Sequence, residues 1–372
     1  MTEERKEEPQ IHIETIHVPE EGKKLYKVHS VTGAGKHTKA VWVIASVVFG
    51  TSLMYMLIDI SSKGIALLTE KREAEQKILA ETAQQKPMGS DDEVEEVSIQ
   101  NYAELKGTYV FKDGAPALPR TSSLSFLLGD VITGEVIVQK NESLNFPIAS
   151  VSKLITAIVA KENIPQHDSV TVKRSSVETY GTQGGLYSGE KILATDLIYP
   201  LLIESSNDAA EVLAEYYGRD EFLKKMNARA LEIGMKDTHF SDPSGLTRKN
   251  TSNILDLFTL AKYIEKEKPE IWDVTRVKQY AILKHSWING NALMKKTNFL
   301  GGKNGYTEEA SRTTVSVFEV PFQIEGKKEK TKRKIALVIL KSNDRNGDAD
   351  KLLRYIEQNV LFREEASEES LD

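Results

Sequence analysis

The chain has 372 residues, 49 Lys+Arg against 55 Asp+Glu for a formal net charge of −6, 40% apolar residues and no cysteine. The length leaves room for about two globular units, and the apolar share supports a sizeable core, which excludes wholesale disorder. Absence of cysteine excludes a disulfide scaffold, a thiolate metal site and a cysteine nucleophile, and the acidic total argues against a nucleic-acid binder.

Charge is unevenly placed. Residues 1–99 carry 12 Lys+Arg against 17 Asp+Glu, the tail 364–372 holds five acidic residues and no base, and residues 100–363 net +4. Residues 1–39 are polar and of mixed charge, and they read as an unordered tail. Their GAGKHT at 33–38 lacks the first glycine of a phosphate loop and places His37 after the lysine. From Ala40 to Ile58, nineteen residues pass without a charge between Lys39 and Asp59. As a helix they would span about 28 Å, the thickness of a hydrocarbon core, so 40–60 is expected to be a single transmembrane anchor rather than a cleaved signal peptide. Five lysines in 21–40 against four basic residues in 61–80 weakly favour an N-terminus on the cytoplasmic side. Residues 61–86 are rich in helix formers and DDEVEEV at 91–97 is strongly acidic, so 61–99 reads as a helical stalk and a solvated linker.

Globular patterning runs over 100–363. Ser123–Leu128 and Glu135–Lys140 read as strands joined by a turn, and Ser150–Glu162 as a buried helix because it is apolar nearly all round. Helical patterns follow at 194–204, 207–217, 220–233 and 254–268. Arg312–Val320 and Lys334–Lys341 return to strand composition, and 348–361 is an amphipathic terminal helix. Strands at both ends with helices between predict an α+β domain, its antiparallel sheet completed by the two chain ends and flanked by helices, with an all-helical subdomain inserted.

Only three histidines, His167, His239 and His285, lie in the globular part, with no H-E-x-x-H and no G-x-S-x-G. The stronger signal is Ser150-Val151-Ser152-Lys153 at the start of the apolar helix. Residues three apart share a helix face, so the Lys153 amine can lie beside the Ser150 hydroxyl, and the helix N-terminus offers free N–H groups to an oxyanion. Two triplets lie downstream: Ser205-Ser206-Asn207 between two predicted helices, and Lys303-Asn304-Gly305 at a strand edge. Each has look-alikes, in Ser188–Lys191, Ser143–Asn145 and Lys112–Gly114. Only 150, 205 and 303 run in order as helix start, interhelical loop and strand edge, places that can converge on one cleft.

With these three motifs, and with FPIASVSKLITAIVAKEN (146–163), LLIESSNDAAEVLAEYYG (201–218), FLKKMNARALEIGMKDTHFSDPSGL (222–246) and TNFLGGKNGYTEEA (297–310), the chain resembles the serine D-alanyl-D-alanine carboxypeptidases among the penicillin-binding proteins, over roughly 120–363. The resemblance implies a β-lactamase/transpeptidase-like fold and a serine peptidase that needs no metal or cofactor. Ser150 would attack the carbonyl between the terminal D-alanines of a peptidoglycan stem peptide and form an acyl-enzyme, with β-lactam antibiotics as covalent inhibitors. Lys153 would be the base, a role that requires its pKa to fall from about 10.4 to near neutrality. Ser205 would relay a proton to the leaving amine and Asn207 would hold the peptide backbone. Lys303, Asn304, Gly305 and Tyr306 would bind substrate, with Lys303 attracting its carboxylate and the Ser150 and Tyr306 amides forming the oxyanion hole.

The chain departs from the family at Asn304, where threonine is usual, at Ser206 and Ser311, where glycine is usual, and at Ser244, where histidine is common. A β-lactamase would need a glutamate-activated water, and no E-x-x-L-N follows the nucleophile. A D,D-endopeptidase would use the same residues, and a non-catalytic peptidoglycan-binding scaffold is the alternative from another class. With the anchor, the expected location is the bacterial cell membrane, single-pass, with the catalytic domain outside.

Overall fold

The computed structural model describes residues 13–17, 24–28, 106–178, 184–282 and 284–365. The chain divides into two units, Met1–Val94 and Glu95–Asp372. In the first, β1 (Ile13–His17) and β2 (Lys24–Val28) pair antiparallel, with Ile13 opposite Val28. This departs from the unordered tail expected there, and the isoleucines, threonine, tyrosine and valine of the two segments carry the β propensity. The apolar span 40–60, the stalk and linker 61–99 and the tail from 366 onwards lie outside the described residues. Among the described residues, no helix is long and apolar enough to cross a membrane.

The second unit opens with β3 (Gly107–Phe111) and the hairpin of β4 (Ser125–Asp130) and β5 (Val136–Lys140). A short β6 (Phe146–Pro147) leads into a 3₁₀ turn at Ala149–Ser152 and then α1 (Lys153–Asn163). The inserted part holds β7 (Ser169–Thr171), α2 (Arg174–Val177), β8 (Lys191–Leu193) and α3 (Ala194–Tyr199), which passes into a π-helical turn at Pro200–Glu204. Next come α4 (Asn207–Tyr217), α5 (Arg219–Ile233), β9 (Thr251–Ser252), α6 (Ile254–Glu267), α7 (Glu270–Arg276) and the hairpin β10 (Gln279–Ile282) and β11 (His285–Ile288). The chain returns to the sheet with β12 (Phe299–Thr307), β13 (Ser311–Ile324), β14 (Lys330–Ser342), α8 (Arg345–Asn359) and β15 (Val360–Glu364).

The main sheet has the order β3-β15-β13-β14-β4-β5, and β12 pairs the first half of β13 while β15 pairs its end. The two ends of the domain complete one sheet, as the strand pattern predicts. The sheet is mixed rather than antiparallel throughout, because β15 lies parallel to β13. No loop separates α8 from β15, so the strand runs opposite to β14 and therefore with β13.

The run Ile335–Leu340 shows how one strand serves two cores. Ala336, Val338 and Leu340 enter the core shared with α1, α4 and α6, whereas Ile335, Leu337 and Ile339 enter the core under α8. A strand buried on both faces reads as an uninterrupted apolar run, because side chains alternate with a period of two. In α1 every residue from Lys153 to Ala160 is buried. That helix is the central rod on which the helical part and the sheet meet.

Candidate active site

Ser150 lies not in an α-helix but in the 3₁₀ turn that precedes one. Side chains at i and i+3 eclipse in a 3₁₀ turn, so the first residue of α1 falls directly behind the serine. Lys153 Nζ donates to Ser150 Oγ at 3.1 Å, to Asn207 Oδ1 at 2.7 Å and to the Ser244 carbonyl at 2.5 Å. The lysine is 0% exposed, and burial lowers its pKa to about 7 against the opposing pull of Asp242 and Glu211. A hydroxyl held against an amine that is half neutral near pH 7 is a nucleophile beside its base.

Ser205 closes the π-helical turn at φ 69°, a left-handed conformation that a serine adopts only where its surroundings enforce it. Ser206 then caps α4, its Oγ accepting from Ala209 N at 3.0 Å, and this turns Asn207 toward Lys153. The Ser206 side chain stands where a Cβ on Gly184 would come to 2.1 Å from its Oγ, so the Gly184 backbone lies directly against the motif. From the sheet side, Lys303 Nζ donates to Ser205 Oγ at 2.9 Å and to the Asn304 carbonyl at 2.9 Å. Lys303 is 1% exposed, and burial together with the charges of Lys153 and Arg345 pulls its pKa well below the ordinary lysine value.

Gly305 presents no side chain to the nucleophile. A Cβ there would lie 2.7 Å from Thr313 Oγ1 and 2.8 Å from Ser150 N, so the strand edge runs directly against the Ser150 amide. Thr313 Oγ1 ties this edge to the turn by donating to the Ile148 carbonyl at 3.0 Å. Tyr306 points out of the cluster: it is 61% exposed, with the Arg312 guanidinium over its ring at 5.5 Å.

Lys153 thus joins Ser150 and Asn207 by hydrogen bonds, Lys303 joins Ser205, and Gly305 lies beside the nucleophile. The look-alike motifs do not join. Lys112–Gly114 and Ser143–Asn145 are exposed, and Ser188 and Gly189 form a turn whose neighbour Glu190 pairs with His285 at 2.7 Å. Among the described residues no group of three or more His, Asp or Glu stands together as a metal site.

Two parts of the site lie outside the three motifs. One is the turn Asp242–Thr247, buried from Asp242 to Gly245, whose Ser244 carbonyl meets Lys153, so the contact is made by backbone and survives the absence of a histidine side chain there. The other is Arg345 at the start of α8, which donates to the Gly305 and Thr313 carbonyls at 3.2 Å and whose pKa burial and Arg312 lower to about 10. Pro243-Ser244-Gly245 is readable as a turn, but nothing in the order of residues says which side chain it faces.

The model of the peptidase family S11, described as D-alanyl-D-alanine carboxypeptidase, matches residues 112–319. The chain belongs to this family. A D-alanyl-D-alanine endopeptidase of Pseudomonas aeruginosa is 33% identical over 222 residues, 55% of this chain and 71% of that protein. The D-alanyl-D-alanine carboxypeptidase DacF of Bacillus subtilis is 32% identical over 209 residues, 51% of this chain and 54% of its own length. Among solved structures, penicillin-binding protein 6B from Escherichia coli superposes with a TM-score of 0.57 at 27% identity, covering 66% of this chain and 80% of that one. Penicillin-binding protein D2 from Listeria monocytogenes, in its cefotaxime-bound form, has a TM-score of 0.57 at 25% identity and covers 64% and 98%. The fold is that of the β-lactamase/transpeptidase-like penicillin-binding proteins. For this S11 peptidase the comparisons leave two activities in play, carboxypeptidase and endopeptidase.

Proposed function

We propose that this S11 peptidase is a membrane-anchored D-Ala-D-Ala carboxypeptidase that removes the terminal D-alanine of peptidoglycan stem peptides. The observation that carries the reading is the Ser150–Lys153 pair at 3.1 Å, with the amine buried and its pKa lowered to about 7. Neutral Lys153 takes the Ser150 proton as Oγ attacks the carbonyl between the two D-alanines. The C–N bond breaks, the leaving amine receives a proton through Ser205, and water then hydrolyses the acyl-enzyme. Lys303, with Arg345 behind it, suits a terminal carboxylate, whose negative charge would favour the proton that burial draws from Lys303; that carboxylate is the group that separates a carboxypeptidase substrate from an internal peptide. Asn304 keeps a hydrogen-bond donor where a hydroxyl is usual, with a different reach.

The anchor in this proposal is the uncharged span 40–58, which would hold the domain on the outer side of a bacterial membrane, where the substrate is. Cross-linked peptides are the second substrate class, favoured by the endopeptidase relative at 33% identity. One experiment separates the possibilities. The full chain is expected to take up a fluorescent penicillin, to lose that label in Ser150→Ala and to release D-alanine from a pentapeptide. Cleavage of cross-linked dimers without release of D-alanine from pentapeptide points to the endopeptidase, and binding to peptidoglycan without any acylation points to a scaffold. Loss of membrane association on deleting residues 40–58 is expected, and a chain that stays membrane-bound without them contradicts the anchor.

A further inference from the structure

The turn at 242–247 holds a buried carboxylate that the proposed acylation chemistry does not use. Asp242 Oδ1 accepts from Ser244 N at 2.7 Å, Ser244 Oγ at 2.8 Å, Gly245 N at 2.5 Å and Leu246 N at 3.3 Å, and Oδ2 accepts from Thr247 N at 2.9 Å. One side chain thus gathers four consecutive backbone amides. A buried carboxylate is costly unless its lone pairs are met, and here each oxygen is satisfied by the turn it shapes.

Two consequences of that turn reach the nucleophile and its base. The Ser244 carbonyl is presented to Lys153 Nζ at 2.5 Å, the shortest of the three contacts that fix the amine. Gly245, at φ +85°, packs so tightly on the serine turn that a Cβ would stand 2.0 Å from the Ala149 carbonyl oxygen and 3.0 Å from Ser150 N. The turn is itself tied to the nucleophile's helix, because Asn250 Nδ2 donates both to the Asp242 carbonyl at 2.9 Å and to Ser152 Oγ at 3.1 Å, and Thr156 Oγ1 donates to the Pro243 carbonyl at 2.6 Å.

We infer that Asp242 is a positioning residue for acylation: its carboxylate shapes the 242–247 turn that aims the Ser244 carbonyl at Lys153 and braces Ser150. The other charged groups around Lys153 are Glu211 of α4, paired with Arg219 of α5 at 2.8 Å, and Lys303 of β12, behind which stands Arg345 of α8. Asp242 and Glu211 are the two that draw a proton toward Lys153, against the burial that drives it off. Asparagine at 242 keeps one acceptor oxygen but removes the charge and turns an N–H₂ toward the Thr247 amide. Glutamate keeps the charge and moves it outward by a methylene.

The inference rests on the proposed Ser150–Lys153 chemistry, and the test keeps the two apart. Second-order acylation rates of the full chain with a fluorescent penicillin are measured from about pH 5 to about pH 9 for wild type, Asp242→Asn and Asp242→Glu, with melting temperatures alongside. Asp242→Asn is expected to lower the plateau rate by about 10²-fold and to move the acidic limb to lower pH, because a base without that carboxylate loses its proton more readily. Asp242→Glu is expected to slow acylation with its acidic limb at the wild-type position. Wild-type rates in Asp242→Asn, or a slowed Asn variant whose acidic limb has not moved, overturn the assignment. Should the Asn variant not fold, the Glu variant decides: slowed acylation at a wild-type melting temperature supports the role, and a wild-type rate overturns it. A wild-type chain that takes no label, or a Ser150→Ala variant that still does, removes the serine–lysine reading and this inference with it.

Discussion

At the scale of single residues, Lys153 is a base placed where a cation is least welcome. Its pKa falls from 10.5 to about 7 through burial, so the folded protein has lost a proton that the unfolded chain keeps through neutral pH. With the unfolded state binding the extra proton, stability rises as pH increases from about 7 toward the unfolded value, and the cost of the buried charge is fully present below about pH 7. That cost is of the order of 5 kcal/mol. Lys153→Met is accordingly expected to raise the melting temperature at pH 6 and below while cutting acylation by at least about 10³-fold, a stability gained at the site of lost chemistry. Thermal scans of both chains across pH measure this, and a methionine variant less stable than wild type at acid pH contradicts it. The tetrapeptide from Ser150 to Lys153 was readable at this scale. The unfavourable setting of the lysine was readable too, since it opens a helix that is otherwise apolar.

At the scale of elements, the site exists because three chain segments end at one place: the 3₁₀ turn before α1, the π-helical turn before α4 and the edge of β12. The sequence pattern shows helices over 150–162 and 194–204, but not that each carries a tighter or looser turn at the end that matters. A 3₁₀ start and a π finish differ from α-helix by one residue of hydrogen-bond register, and hydrophobic periodicity is too coarse to register that. The close approach of β12 is what glycine at 305 allows. Gly305→Ala is expected to press a methyl on Ser150 N at 2.8 Å and on Thr313 Oγ1 at 2.7 Å, costing about 10²-fold in acylation by blocking an amide of the proposed oxyanion hole. Penicillin labelling kinetics test this, and a wild-type rate in the folded variant argues that the Ser150 amide takes no part.

At the scale of the whole molecule, both cores draw, among the described residues, on the second unit alone, from Phe126 to Phe362. A chain beginning at Glu95 is therefore expected to fold, to unfold in one cooperative step and to acylate with the rate constant of the full chain. A truncated chain that fails to fold or acylates more slowly assigns residues 1–94 a part in the domain itself. The net charge of −6 has its source in the flanks, and the domain that carries the site is the basic part of the molecule, at +4 over 100–363. Lys153 and Lys303 are part of that formal count, but burial lowers the pKa of both, so the Arg345 guanidinium behind them holds its charge more firmly than either lysine.

By itself the sequence determined the α+β class, the closing of one sheet by the two ends of the domain, the buried helix after Ser150 and the three motifs in their order. These are local matters, set by periodicity, turn residues and spacing along a few turns of chain. The tertiary structure alone decided which backbone carbonyl fixes the amine, that Asp242 and Arg345 stand behind the site, and that β15 lies parallel to β13. Such contacts at the site join residues as far apart as Gly305 and Arg345, 40 positions, and Ile148 and Thr313, 165 positions. They are chosen by how two faces of a sheet and a set of helices bury their apolar sides together, and no short stretch of sequence contains that choice.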